Sequence, residues 1–244
     1  MAVAALRPDQ AGRVWRGALF DLVLWFGLVV LATLAIKVLT PSGHFGGWFI
    51  RLAAPIQMLA LFVLSTVLLR RRGETWAPLG LRMPSSITRV AILVGLGFVV
   101  AITMNAIWVL LALRALGVAR PDFGAFGVLK GHPWSYVFWL LYAWISAAVG
   151  EELQFRGFLF SRLERIFGGG RMAVPLALVG QAAVFGLGHI YQGVGGVLTT
   201  GSIGLVLGGV YLAGRRNLVA CMLLHALIDT ISLTILFLVQ LPAH

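Results

Sequence analysis

Acid is scarce in this chain. Asp and Glu together number eight among 244 residues, against nineteen Lys and Arg. Polar stretches are scarce too: charged residues make up 11% and hydrophobic residues 60%, and the mean hydropathy is +0.96. No segment is long and polar enough for a soluble domain, and there is no repeat of clear period or low-complexity tract. This composition excludes an ordinary water-soluble fold and points to a polytopic α-helical membrane protein. The single cysteine, Cys221, excludes an internal disulfide and any CxxC metal site. Its place inside an apolar run is that of a small core residue. The net charge of +11 does not mark a nucleic-acid partner, because the basic residues lie between apolar runs instead of forming a face.

Apolar runs fall at roughly 18–39, 49–69, 88–113, 134–160, 172–190, 197–213 and 217–241. Each is long enough, or nearly so, to cross a bilayer as a helix that satisfies its own backbone hydrogen bonds. The expectation is an all-α bundle of about seven spans (six to eight), forming a single integral-membrane domain over 1–244. Arg7, Arg13 and Arg16 precede an apolar stretch that is too long for a signal peptide and is followed by no small-x-small cleavage site, so that run reads as an uncleaved span. With the N-terminus inside, fourteen of the nineteen basic residues fall on the cytoplasmic side, and Lys37, Arg51, Arg114, Arg120 and Lys130 fall opposite. That asymmetry favours an N-in, C-out arrangement. The Ala, Gly and Leu richness, without internal targeting signals, suggests a prokaryotic cytoplasmic membrane. Gly204 and Gly208, with Gly201 nearby, predict close helix packing along the sixth run.

Against this background two adjacent acids stand out. Glu151 and Glu152 lie in the fourth run, with Arg156 a turn further on. Ionisable groups at membrane depth cost a few kcal/mol or more and commonly mark working sites. The run turns amphipathic by Arg162, Glu164 and Arg165, so it reads as one long helix leaving the membrane, broken at Gly168, Gly169 and Gly170. The other buried polar groups of the last four runs are His189, four residues after Phe185, and the pair His225 and Asp229. Spacings of four put Glu152 with Arg156, Phe185 with His189, and His225 with Asp229 on common helix faces. Glu151 lies 18 residues before Gly169 and His189 lies 20 after it. An antiparallel hairpin at about 1.5 Å per residue sets them within about 3 Å in height. His225 reaches the same level if that hairpin projects about 15 Å from the membrane. The expected site therefore lies between the fourth, fifth and seventh runs.

A carboxylate withdrawn from water is a strong base and, beside a histidine, can deprotonate a water molecule. A further donor can hold a developing oxyanion. These groups suit peptide-bond hydrolysis. The same atoms, Glu151, His189 and His225, also resemble zinc ligands with an open position, although no HExxH helix is present. Asp21 and Lys37, in or near the first span, are candidates to pair or to face a cavity. His44, His132 and His244 lie in loops or at the terminus and receive no role.

The set Glu151-Glu152-x-x-x-Arg156, Phe185-x-x-x-His189 and His225-x-x-x-Asp229 resembles the three-motif signature of the CPBP family, whose best-known members are the type II CAAX prenyl endopeptidases, intramembrane glutamic proteases. The resemblance covers residues 134–241, the family-matching catalytic core. It implies that Glu151 and His189 activate the attacking water, that Glu152 and Arg156 hold the geometry, and that His225 and Asp229 stabilise the oxyanion. The last position is commonly asparagine; an ionised Asp229 would instead orient His225, while a protonated one can donate. Phe185 is expected to shape the pocket wall. The resemblance implies no cofactor, zinc being the alternative. The expected partners are membrane lipids and a peptide or lipidated-peptide substrate. A non-enzymatic scaffold or bacteriocin-immunity protein is the competing reading. A small proton-coupled transporter is disfavoured because no paired halves are present.

Overall fold

In the computed structural model, which describes residues 8–39 and 48–239, every regular element is helical, and no strand occurs among the described residues. His44 and His244 lie outside that range. Helix α1 spans Pro8–Leu39 and α2 spans Trp48–Arg71. Helix α3, Ile87–Ile107, continues through a π turn at Trp108–Ala112 to Leu113–Ala115. Next comes α4, Pro133–Tyr142, which opens on proline, where a missing N–H costs nothing. It runs into two π-helical segments, Ala143–Glu151 and Leu153–Leu159, and then into α5, Phe160–Ile166. Helices α6 (Ala173–Leu187), α7 (Gly193–Ala213) and α8 (Leu218–Leu238) complete the chain.

Among the described residues five stretches are long and apolar enough to cross a bilayer: Gly12–Val38, Leu52–Arg71, Ile87–Ala115, Ile190–Ala213 and Leu218–Leu238. The two other apolar runs are built differently. The fourth is helical from Pro133 to Ile166 but largely π in its middle, and the fifth forms the 15-residue α6. A π segment bonds i to i+5, so it is wider and shorter per residue than the α geometry assumed in levelling the site residues. The break after α5 falls where expected. Gly168 and Gly169 take φ of +78° and +64°, a region that glycine enters without steric cost.

The chain divides into two compact units. The first comprises residues 1–81 and 150–181, the second 82–149 and 182–244.

In the first unit, polar groups staple the helices. Buried Trp25 on α1 donates from Nε1 to Gln154 Oε1 at 2.9 Å, and Gln154 Nε2 donates to Ser65 Oγ on α2 at 3.2 Å. Asp21 does not pair with Lys37. The two lie sixteen residues apart on one helix, about 24 Å, and Lys37 is exposed in the last turn. Asp21, wholly buried, instead takes Arg72 (Nε to Oδ2 and Nη2 to Oδ1, both 2.7 Å) and Arg162 (Nε to Oδ2, 2.8 Å). Glu74 extends the network, accepting from Arg162 Nη1 at 3.0 Å and Arg165 Nη1 at 2.5 Å. Arg162, expected on a solvated projection, is fully buried, with its guanidinium 4.8 Å from the Phe158 ring centroid.

Burial pulls the Arg162 proton affinity down, and the neighbouring Glu74 and Asp21 oppose that shift. The hydrogen bond to Asp21 is the largest influence holding Arg72 above its ordinary value. For Glu74 burial is the largest single influence and pushes upward, but the bond from Arg165 and the charges of Arg162 and Arg165 leave its carboxyl below the ordinary 4.5.

In the second unit, glycines set the helix spacing. A Cβ at Gly186 on α6 would lie 2.5 Å from the Val197 carbonyl oxygen and 3.0 Å from Gly201 Cα on α7. A Cβ at Gly204 would meet Ala182 Cα at 3.1 Å and the Phe185 ring at 3.2 Å. The close contact predicted for the sixth run is thus made with α6, and it seats Phe185. Helix α4 is tied to α8 by Tyr136 Oη and Thr234 Oγ1 at 2.8 Å, and the π segment by Trp144 Nε1 donating to Thr230 Oγ1 at 2.9 Å.

Three outcomes follow for thermal or denaturant melts of the purified protein. Asp21→Asn leaves a buried guanidinium short of its counter-charge and lowers stability by about 3–5 kcal/mol. Because the folded Glu74 pKa lies below 4.5, the stabilisation that it contributes is complete above that pH. It is lost as pH falls through the folded value, and Glu74→Gln flattens that acid limb. Gly186→Ala overpacks the α6–α7 contact and costs about 1–3 kcal/mol, whereas Gly209→Ala, with nothing within 4 Å of the added Cβ, is neutral.

Candidate functional site

Glu151 closes the first π segment, and Glu152 links it to the second with helical backbone angles, φ −64° and ψ −39°. π-helical turns recur at functional sites because each inserts a residue and re-aims the side chains that follow. Here they fall on the part of the chain that carries the paired acids. The i,i+4 relation of Glu152 and Arg156 survives, with Arg156 Nη1 donating to Glu152 Oε1 at 2.8 Å and both side chains fully buried. Between them Gln154 is anchored to α1 and α2 through Trp25 and Ser65. Residues 152, 154 and 156 are therefore held rigidly inside the first unit. Glu151, adjacent to this anchored stretch, is half-buried.

The histidines lie in the second unit. His189 falls just past the end of α6, in the turn leading to the short 3₁₀ segment Ile190–Gln192. It still meets the residue four before it. The two rings stand 5.1 Å apart, and His189 Nδ1 lies 3.0 Å from the Phe185 carbonyl oxygen. A carbonyl can only accept, so Nδ1 carries the proton, and in the neutral ring Nε2 keeps its lone pair. Tyr191 flanks the other side at 5.8 Å between ring centroids.

Phe185 also touches His225 on α8, edge-on, with centroids 5.9 Å apart and planes at 82°. It is 2% exposed and bridges the two imidazoles. His225 is buried, and its Nε2 lies 3.6 Å from Asp229 Oδ2, an ion-pair distance longer than a good hydrogen bond. Asp229 is the more accessible of the two, with 27% of its side chain exposed.

Within its own unit, then, each i,i+4 pair is adjacent: Glu152 with Arg156, Phe185 with His189, and His225 with Asp229; Phe185 meets His225 as well. Neither unit, among its described residues, holds a group of three or more His, Cys, Asp or Glu side chains placed to bind a metal ion. Sequence reasoning missed Gln154, the Phe185 carbonyl and Tyr191. A glutamine two residues after Glu152 in an apolar run was the available signal for the first. The second is a backbone atom and leaves no trace in side-chain spacing.

Residues 133–231 match the family model described as Type II CAAX prenyl endopeptidase Rce1-like. No curated protein and no solved structure gives a significant match. The matched stretch opens at the first residue of α4 and closes within α8. It contains Glu151, Glu152, Arg156, Phe185, His189, His225 and Asp229, in the order the resemblance requires. The chain is thus an integral membrane protein whose residues 133–231 are similar to the type II CAAX prenyl endopeptidases of the CPBP family.

Proposed function

We propose that this protein is an intramembrane endopeptidase of the glutamic type, acting on a membrane-associated peptide, lipidated peptides included. The observation that carries the proposal is the 3.0 Å contact of His189 Nδ1 with the Phe185 carbonyl oxygen: with Nδ1–H committed there, Nε2 of the neutral ring is an acceptor for a water molecule. Glu151 is assigned as the second base on that water. Its half-buried position beside the enclosed Glu152–Arg156 pair supports a reacting role for Glu151 and a positioning role for the pair.

The reaction proceeds in two steps. Glu151 and His189 take a proton from water as its oxygen attacks the scissile carbonyl carbon, forming a tetrahedral oxyanion. The C–N bond then breaks as that proton passes to the departing amine, leaving a carboxylic acid that releases its remaining proton to solvent. His225 donates to the oxyanion, and Asp229, 3.6 Å from it, holds the imidazole in place. No cofactor is invoked. The site faces the cytoplasmic half of a prokaryotic membrane, with the N-terminus inside, so a lipid anchor stays in the bilayer while the peptide enters from the side.

Hydrolysis of a fluorogenic lipidated peptide by the purified protein tests this. Glu151→Gln and His189→Ala each lose on the order of 10³-fold in kcat, and the wild-type rate survives a strong chelator. Loss of activity on chelation returns Glu151, His189 and His225 to the role of zinc ligands. Undiminished rates in Glu151→Gln remove the protease mechanism. Asp229→Asn stays within about tenfold of wild type, since an amide of the same shape keeps its place beside His225, while His225→Ala falls by about 10²–10³.

A further inference from the structure

Away from these residues, the second unit contains a cavity of about 270 Å³ where α3 and α8 begin and α7 ends. Its polar lining is Arg82, Arg89, Arg215, Ser85, Ser86 and Asn217, with no carboxylate among the lining residues. Three guanidinium groups around one small space repel one another unless an anion joins them.

The walls are fixed. Arg82 Nη2 donates to the Arg215 carbonyl at 2.9 Å, and Asn217 Nδ2 donates to the Arg82 carbonyl at 2.9 Å. Ser86 and Asn217 cap α3 and α8 through Arg89 N and Val219 N. The positive ends of the α3 and α8 dipoles add to the arginine charge, and the negative end of α7 offsets part of that gain. A volume of this size suits a phosphate with its ester substituents and is below that of pockets for larger ligands.

What lies beneath the cavity identifies the ligand further. Arg89, Ile92, Leu96 and Val99 recur at helical spacing along α3, and all four are exposed. Ile92, Leu96 and Val99 are 54%, 61% and 61% exposed, on a stretch apolar enough to span a bilayer. Met83, beside the lining, is 88% exposed. A cationic head site thus opens onto an apolar track of acyl-chain character. The geometry points to a binding site for a phosphate group, carried by an anionic phospholipid whose headgroup sits among Arg82, Arg89 and Arg215 and whose chains lie along α3. Arg82 is already committed in part to the Arg215 carbonyl, so Arg89 and Arg215 supply most of the contact.

The full-length protein in nanodiscs, with bound lipid counted by native mass spectrometry, tests the site. Wild type retains phosphatidylglycerol in preference to phosphatidylcholine. Arg89→Gln/Arg215→Gln weakens that retention by about 25-fold, taking about fivefold per arginine. Arg70→Gln/Arg71→Gln removes the same charge from the exposed end of α2 and leaves retention unchanged. Should the first double variant melt early in phosphatidylcholine, Arg89→Gln alone, on an exposed face, is read for its fivefold loss. A rise in melting temperature with inorganic phosphate, abolished by Arg89→Gln/Arg215→Gln and without lipid preference, supports the phosphate chemistry with a soluble source. Equal retention in all variants, or equal loss in both double variants, overturns the site.

Discussion

A charge withdrawn from water persists only where a partner is built around it, and in this chain that requirement governs both structure and function. The penalty for an uncompensated ion at depth exceeds most single contributions to stability. Asp21 is met by Arg72 and Arg162, and Glu74 by Arg162 and Arg165. Glu152 is met by Arg156, and Asp229 lies at His225. The first network closes the polar end of the first unit around α1, α5 and the turn after α2. The Glu152–Arg156 pair stiffens the π-helical stretch that presents Glu151. Structural ion pairing and the proposed chemistry thus occupy consecutive turns of one helical stretch, with Glu151 distinguished from its neighbour by access.

The histidine side is organised by backbone and by small residues. Gly186 and Gly204 let α6 and α7 approach within backbone contact, and that approach seats Phe185. Phe185 then acts twice: its ring lies between the two imidazoles and its carbonyl engages Nδ1 of His189, which orients that ring. Loss of the glycines would therefore reach the chemistry through Phe185, without any change to an ionisable group. The arginine-lined cavity at the start of α3 and α8 is a separate feature of the same unit, formed where three helix ends meet.

Much of this was legible in the sequence, and what was hidden shares a cause. Hydropathy located the five long apolar helices among the described residues, because a lipid-facing residue must be apolar whatever it packs against. The Glu152–Arg156, Phe185–His189 and His225–Asp229 contacts followed from spacing, because a helix makes i and i+4 neighbours. The partners of Asp21 did not follow, since they lie 51 and 141 residues away and no local period encodes them. Arg162 was misread for a related reason. An arginine beside Glu164 and Arg165 looks solvated until a distant carboxylate encloses it. The π geometry of 143–159 was invisible because composition does not distinguish i→i+4 from i→i+5 bonding, and it invalidates the simple count of rise per residue across the acid pair.

The central claim is that Glu151 and His189 act on one water molecule, and a double-mutant cycle on peptide hydrolysis tests it most directly. Groups that share a single proton transfer are non-additive. The account predicts that Glu151→Gln/His189→Ala is no slower than either single variant. Losses that multiply in the double variant would show the two residues acting independently and would contradict the account.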